Sequence, residues 1–125
     1  MMQKEKPLEW IASSYKDLMG LPPDVRRRFG YALSLAQVGD RDDSAKVLKG
    51  FGGAGVLEVV EDYTGGTYRA VYTVKFVEAV FVLHCFQKKS KSGIATPKVD
   101  IDIIRTRLRV AEAIAQELRD AKTND

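Results

Sequence analysis

Residues 49–91 contain nearly all of the strand-like sequence of this chain. Val56 to Val60 is rich in β-branched residues, and the Gly65-Gly66 pair that follows predicts a hairpin turn, because glycine adopts positive φ without steric cost. Tyr68 to Val74 fits the returning strand, and Ala79 to Gln87 fits a third strand that is apolar enough to be covered on both faces. The stretch therefore predicts a three-stranded antiparallel meander.

The segments before the meander predict a strand and a helical hairpin. Alternating apolar residues from Leu8 to Ala12 favour a short edge strand, and a brief helix follows that ends at Gly20. A second helix begins at Pro23 and ends at Gly39. Because few residues join the two helices, they fold back on each other and cover one side of the sheet.

Residues 97–121 predict a long C-terminal helix, for which Thr96-Pro97 supplies the N-cap and the first helical residue. Its apolar residues recur in steps of three and four, at Ile101, Ile104, Leu108, Ala111, Ala115 and Leu118. The first half of this stripe fits packing on the sheet. The second half extends beyond the core, which predicts a partner chain, with a homo-oligomer through this helix as one expectation.

The expected fold class is α+β, in a single domain over residues 1–125. It has an N-terminal strand and a helical hairpin packed on a mainly antiparallel four-stranded sheet, with the long helix at the C-terminus.

Charge and cysteine content limit the function classes. The 125 residues have a net charge of +3, and residues 87–98 carry only positive charge, which favours a polyanionic partner. Cys85 is the only cysteine and His84 the only histidine, so neither an intrachain disulfide nor a zinc site of Cys and His ligands can form. No apolar run suits a membrane span or a leader, so we expect a cytoplasmic protein without membrane contact, metal or other cofactor.

Polar residues on the predicted strands form the candidate site. Strand alternation places Arg69 on the face of Val71 and Thr73, and it places His84 on the same side as Lys88. A half-buried arginine requires an anion, and both an internal carboxylate and a phosphate from outside satisfy that need. The glycine-rich residues 50–55 do not predict a nucleotide-binding loop, because they lead into a strand and not into a helix.

Several short motifs, in this order and spacing, resemble the RelE/ParE toxin superfamily and its HigB-like branch, which is often labelled phage-derived. They are Leu48-Lys49-Gly50 with Gly52-Gly53, Leu57-Glu58, Tyr68-Arg69-Ala70-Val71-Tyr72, Leu83 to Lys89, and Thr96-Pro97. The resemblance spans about residues 8–108 and implies a metal-independent endoribonuclease that cleaves mRNA, commonly on the ribosome. In such enzymes the 2′-hydroxyl of the RNA attacks the adjacent phosphorus. A cognate antitoxin, usually of the helix-turn-helix type, is also implied.

The resemblance implies roles for individual residues, each with a structural alternative. Arg69 corresponds to a phosphate clamp, or else bridges to Glu58, which orients it or accepts a proton. Lys49 corresponds to a phosphate or base contact, and a surface lysine is the alternative. Lys88 is the candidate acid or base, and His84 is either catalytic or a structural, hydrogen-bonded histidine. Expected RNA-binding residues are Lys46, Lys89, Lys91 and Lys98.

Departures from the family pattern keep other functions open. Val59-Val60 stand where many relatives have an arginine, and a tyrosine found after the last strand of some RelE enzymes is absent. The alternative is a non-catalytic interaction protein on the same fold: a ParE-like gyrase inhibitor, or a partner that binds only an antitoxin and DNA. A phage structural or accessory component is a third interpretation.

Overall fold

The computed structural model describes residues 5–88 and 95–123, which form one sheet and three helices. The strands are β1 (Leu8–Trp10), β2 (Lys46–Val47), β3 (Val56–Tyr63), β4 (Gly66–Thr73) and β5 (Val80–Lys88), in the order β1-β5-β4-β3-β2. The helices are α1 (Ser14–Met19), α2 (Pro23–Gln37) and α3 (Lys98–Thr123). The predicted α+β class is confirmed.

The sheet has five strands among the described residues, and not the four that the sequence predicted. The meander β3-β4-β5 is antiparallel throughout, as expected. The additional strand is β2, which pairs with β3 through only Lys46 and Val47. Two residues are too few to show an alternation in the sequence. At the other edge, β1 runs parallel to β5, with Leu8 opposite Val80.

The hairpin between β3 and β4 turns at Thr64-Gly65, so the predicted Gly65-Gly66 turn is wrong by one residue. Gly65 has φ of +90°, which favours glycine. Gly66 already pairs with Tyr63 in the ladder. A Cβ on Gly66 would lie 2.5 Å from Nε2 of Gln87, so this glycine makes room for a side chain of β5.

Two apolar cores lie on opposite faces of the sheet. On one face, α2 buries Val25, Phe29 and Leu33 against the strands, at the spacing that the sequence predicted. On the other face, α3 buries its own Ile104, Ala111 and Ala115 against the strands. Because both faces are covered, β5 is buried from Val80 to Cys85, which confirms the expectation for the third strand.

Helix α3 is slightly displaced from its predicted bounds of 97 and 121. Ile104, Ala111 and Ala115 are fully buried, whereas Leu118 is 40% exposed. The predicted stripe is therefore the sheet-facing side of the helix, and its last residue lies beyond the core.

A bulge in β5 determines what lies under the start of α3. Val71 pairs with His84 but the next residue, Tyr72, pairs with Val82, so one residue of β5, Leu83, is extra. Leu83 and His84, although adjacent, both contact the α3 side of the sheet. Bulges redirect side chains in this way, and this one places His84 beside the first turn of α3.

Candidate functional site

Arg69, Glu58 and Thr96 form a closed hydrogen-bonded group on the α3 face. Nη1 of Arg69 on β4 donates to Oε1 of Glu58 at 3.3 Å and to Oγ1 of Thr96 at 3.1 Å. The Thr96 hydroxyl in turn donates to Oε2 of Glu58 at 2.8 Å. The Arg69 side chain is only 4% exposed, and that of Glu58 is 11% exposed. The internal carboxylate that the sequence left open as an arginine partner is thus present.

Lys88 lies on the same face as Arg69. It is opposite Thr67 in the ladder, and Arg69 is two residues further along β4. Diagonal neighbours of this kind have side chains within reach of each other, at about 7 Å. Lys88 is buried, with 6% of its surface exposed. Two cationic side chains and one carboxylate from three adjacent strands therefore share one face of the sheet.

The remaining predicted lysines lie at the margin of this group. Lys46 is directly opposite Glu58 across the β2–β3 pair and is exposed. Lys49 is exposed in the segment between β2 and β3, and within the described residues no hydrogen bond or ion pair joins it to the group. Lys98 is exposed on the first turn of α3 and donates to Asp102 at 2.9 Å. Lys89 and Lys91 lie outside the described residues.

His84 is held between two residues of α3. Its Nε2 is 2.8 Å from Oδ1 of Asp100, and its Nδ1 is 3.4 Å from Nη1 of Arg107. Arginine only donates hydrogen bonds, so Nδ1 accepts from Arg107, and Nε2 carries the hydrogen and donates to Asp100. The ring also stacks on Phe86, with the centroids 4.4 Å apart.

The environment of His84 opposes its protonation. Burial lowers its pKa from the usual 6.5, and this outweighs the opposite effect of Asp100. Both ring nitrogens are engaged, so the imidazole is placed to fix α3 on the sheet.

Arg107 extends this group to α1. It donates to the backbone oxygen of Leu83 at 2.9 Å and to Oγ of Ser13 at 3.0 Å, and Ser13 donates to Asp17 at 2.7 Å. Asp100 and Arg107 were not among the site residues predicted from the sequence. Their spacing of seven residues, which places both on one side of a helix, was the available signal.

A second polar group lies on the α2 side and is structural. Arg28 donates to both carboxylate oxygens of Asp42, at 2.7 and 2.8 Å, and to Ser44 at 2.5 Å. These hydrogen bonds hold the pKa of Asp42 far below its usual range. The group fixes the loop before β2 against α2.

Within residues 5–88 and 95–123, no three His, Cys, Asp or Glu side chains are arranged to hold a metal ion. In the same residues, no helix combines the length and apolarity that crossing a bilayer requires.

These observations define a class: a small α+β protein whose antiparallel meander carries a buried arginine–glutamate pair and a neighbouring lysine beneath the start of its C-terminal helix. Residues 16–109 match the family described as phage derived protein Gp49-like (DUF891), and since the match spans most of the chain, the protein belongs to that family. The phage-derived part of the predicted resemblance is thereby confirmed, while the match does not specify the HigB branch.

The chain was also compared with curated proteins and with solved structures. Among curated proteins none matches the chain significantly. Among solved structures, a chain from the crystal structure of the toxin–antitoxin complex RelBE2 of Mycobacterium tuberculosis is similar, with 18% identity and a TM-score of 0.41. The similarity covers 72% of this chain and 98% of that one. So distant a likeness transfers neither an activity nor a partner.

Proposed function

We propose that this protein is the toxin of a toxin–antitoxin system and that it cleaves mRNA without a metal ion. The Gp49-like family is grouped with RelE-like toxins, and the motifs around Lys49, Arg69 and Lys88 resemble that superfamily. The partners that follow from this proposal are a cognate antitoxin, of the helix-turn-helix type, and mRNA on the ribosome.

The observation that carries the proposal is the common face shared by Glu58, Arg69 and Lys88. In the reaction, the 2′-hydroxyl attacks the adjacent phosphorus, the bond to the 5′-oxygen breaks, and a 2′,3′-cyclic phosphate and a 5′-hydroxyl are released. Arg69 is suited to the phosphate, because its planar guanidinium donates to two oxygens at once. Glu58 then accepts the proton of the 2′-hydroxyl, and Lys88 donates one to the leaving oxygen.

The closed group must open for this reaction. Arg69 has to exchange Thr96 and Glu58 for phosphate oxygens, which also frees the Glu58 carboxylate to act as a base. Thr96 lies two residues before α3, and a displacement of residues 95–97 would remove its hydrogen bond to the guanidinium. His84 takes no part in proton transfer in this scheme; it positions α3 through Asp100 and Arg107.

The test is to incubate the purified protein with free RNA in EDTA, and with translating ribosomes in magnesium buffer, and to identify the new RNA ends. Cyclic phosphate and 5′-hydroxyl ends are expected. Arg69→Gln and Lys88→Met should each lower the cleavage rate by about 100-fold, the usual effect of removing a group that stabilises transition-state charge. Arg27→Gln and Lys122→Met are the matched controls. They remove the same charges at exposed positions distant in sequence from Arg69 and Lys88, and they should leave the cleavage rate unchanged.

Circular dichroism must show each variant to be folded, because Arg69 and Lys88 are buried. Cleavage that continues unchanged in folded Arg69→Gln contradicts the proposed mechanism. Fragments with 3′-hydroxyl ends contradict it as well, because attack by the 2′-hydroxyl cannot produce them.

A non-catalytic interaction protein on the same fold is the second candidate function. The observation that favours it is the burial of Arg69, which is 3% exposed and bonded to Glu58 and Thr96. This candidate predicts no RNA cleavage in either buffer. Growth arrest on induced expression, with DNA gyrase trapped on DNA, would then identify a ParE-like inhibitor.

A further inference from the structure

Helix α3 carries a second apolar stripe on the side that faces away from the sheet. Counting along the helix, apolar or small residues recur in steps of four and three, at Val99, Ile103, Thr106, Val110 and Ala113. Val99 is 65% exposed and Val110 is 44% exposed. At 100° per residue, the centre of this stripe lies about 130° around the helix from the buried residues Ile104 and Ala111. We define these five residues as the outer stripe.

The outer stripe has the spacing of a coiled-coil seam. Alternating steps of four and three repeat every seven residues, which keeps the side chains on one line when two helices pack together. The stripe is about 21 Å long, from a rise of 1.5 Å per residue. No element among the described residues covers Val99 or Val110, so the seam is available to another helix.

The charges beside the outer stripe determine which helix fits. Asp102 and Arg109 flank the same edge of the stripe, seven residues apart, and both are exposed. We propose that the outer stripe pairs with the outer stripe of a second copy of this chain, in antiparallel orientation. When Val99 of one copy packs on Val110 of the other, Ile103 packs on Thr106, and Asp102 of each copy faces Arg109 of the other.

Two-fold symmetry makes the ion pair occur twice, because an isologous interface repeats every contact. An antiparallel arrangement also opposes the two helix dipoles, which favours it further. In the parallel arrangement Asp102 lies beside Arg107 of the other copy, and Arg107 is already bonded to Leu83, His84 and Ser13. The antiparallel pair uses Arg109, which none of these contacts occupies, while in either arrangement Asp102 also has its exposed ion pair with Lys98 of the same helix.

The interface is small, so the dimer is weak. Two heptads on each helix bury less surface than the roughly 1,200 Å² that stable complexes require. Association is therefore expected to depend on concentration, and analytical ultracentrifugation from the low micromolar to the high micromolar range should show a monomer–dimer equilibrium.

Charge reversal tests the register. Asp102→Arg and Arg109→Asp each replace two attractive pairs by two repulsive ones, and each should weaken dimerisation about tenfold or more. The double variant Asp102→Arg/Arg109→Asp restores opposite charges and should return the dimer to within about threefold of the original. Glu112→Arg is the matched control, because it makes the same change on the same helix outside the stripe. A dimer that ignores Asp102→Arg overturns the proposal.

Cysteine cross-linking tests the orientation. A mixture of Val99→Cys and Val110→Cys proteins should oxidise to a mixed disulfide, whereas neither protein alone should cross-link; Cys85 is buried and does not interfere. A disulfide between two Val99→Cys chains indicates the parallel arrangement and overturns the proposal. A chain that stays monomeric at the highest concentration overturns it too.

Discussion

His84 shows how two charged neighbours determine the state of one side chain. Burial lowers its pKa below 6.5, and Arg107 and Asp100 require the tautomer with hydrogen on Nε2. Because it is the only histidine, NMR titration of its ring is unambiguous. We expect a midpoint below pH 6.5 and ¹⁵N shifts that identify Nδ1 as the unprotonated nitrogen above it.

Asp100→Asn sharpens this prediction. It removes the negative charge that favours the imidazolium ion, so the midpoint should fall further. A midpoint above 6.5 in the unmodified protein would mean that the ion pair with Asp100 outweighs burial, contrary to our expectation.

Cys85 should be chemically inert while the protein is folded. It is 2% exposed, and burial raises its pKa to about 12, so almost none of it is thiolate at neutral pH. We expect a thiol reagent such as DTNB to modify it only at the rate of unfolding, and rapidly in urea. Fast modification of the native protein would show that the sheet opens locally near β5.

The residues on the strands could be predicted from the sequence, and those that join elements could not. Alternation placed Arg69 with Val71 on β4 and His84 with Lys88 on β5, but only the register between the two strands brings Arg69 and Lys88 onto one face. Asp100 and Arg107 were missed because their importance arises only when α3 lies across β5. Thr96 was predicted as the N-cap of α3, but the helix begins at Lys98, and the Thr96 hydroxyl instead donates to Glu58 across 38 residues of sequence.

At the scale of elements, two alanines let α3 approach the sheet closely. Ala111 and Ala115 are fully buried in the core between α3 and the strands. Ala111→Leu adds three heavy atoms to this contact and should lower the free energy of unfolding by about 1–3 kcal/mol. Urea denaturation followed by circular dichroism measures the change.

Ala121→Leu is the control for this prediction, because Ala121 is exposed on the same helix. It should alter stability by less than about 0.5 kcal/mol. Equal effects of the two substitutions would mean that α3 does not depend on a close contact at Ala111.

The length of an element decided whether the sequence revealed it. The fifteen residues of α2 show a clear helical period, and the apolar residues at helical spacing are all buried, namely Val25, Phe29, Ala32, Leu33 and Ala36. The two residues of β2 show no period, and their pairing depends on Leu57 and Glu58 opposite them. The hairpin was displaced by one residue because Gly65 and Gly66 both suit a turn by sequence, whereas in the structure only Gly65 has a positive φ and Gly66 lies against the side chain of Gln87.

For the whole molecule, the free energy of unfolding should decrease in two separate steps as the pH is lowered. His84 has a lowered pKa when folded, so the unfolded chain binds a proton first, and stability falls as the pH drops below about 6.5. Asp42 has a strongly lowered pKa because of Arg28, so its contribution is present above its ordinary value of about 4 and is lost below it. Urea denaturation at a series of pH values from about 7.5 to about 3, a range that spans the ordinary pKa values of histidine and aspartate, measures both steps.

Two variants separate the steps. His84→Gln should abolish the dependence near pH 6, and Asp42→Asn should flatten the curve below pH 4. Each should also lower stability at neutral pH, because it leaves Asp100 or Arg28 without its present partner. An unchanged upper step in folded His84→Gln would assign that step to another group.

Topology at the level of the whole chain was only partly predictable. The order of the meander follows from its short turns, whereas the parallel pairing of β1 with β5 joins residues about 72 positions apart. An apolar alternation from Leu8 to Ala12 indicates a strand but does not predict which other strand pairs with it.

Arg107 on α3 joins Ser13, just before α1, to the backbone of Leu83 on β5. On a translating ribosome, Ser13 and Leu83 both leave the exit tunnel before this arginine does. The interior strand β5 and the start of α1 therefore stay unjoined at this point until residue 107 has emerged. A newly made chain should gain its full resistance to proteases only at that late moment.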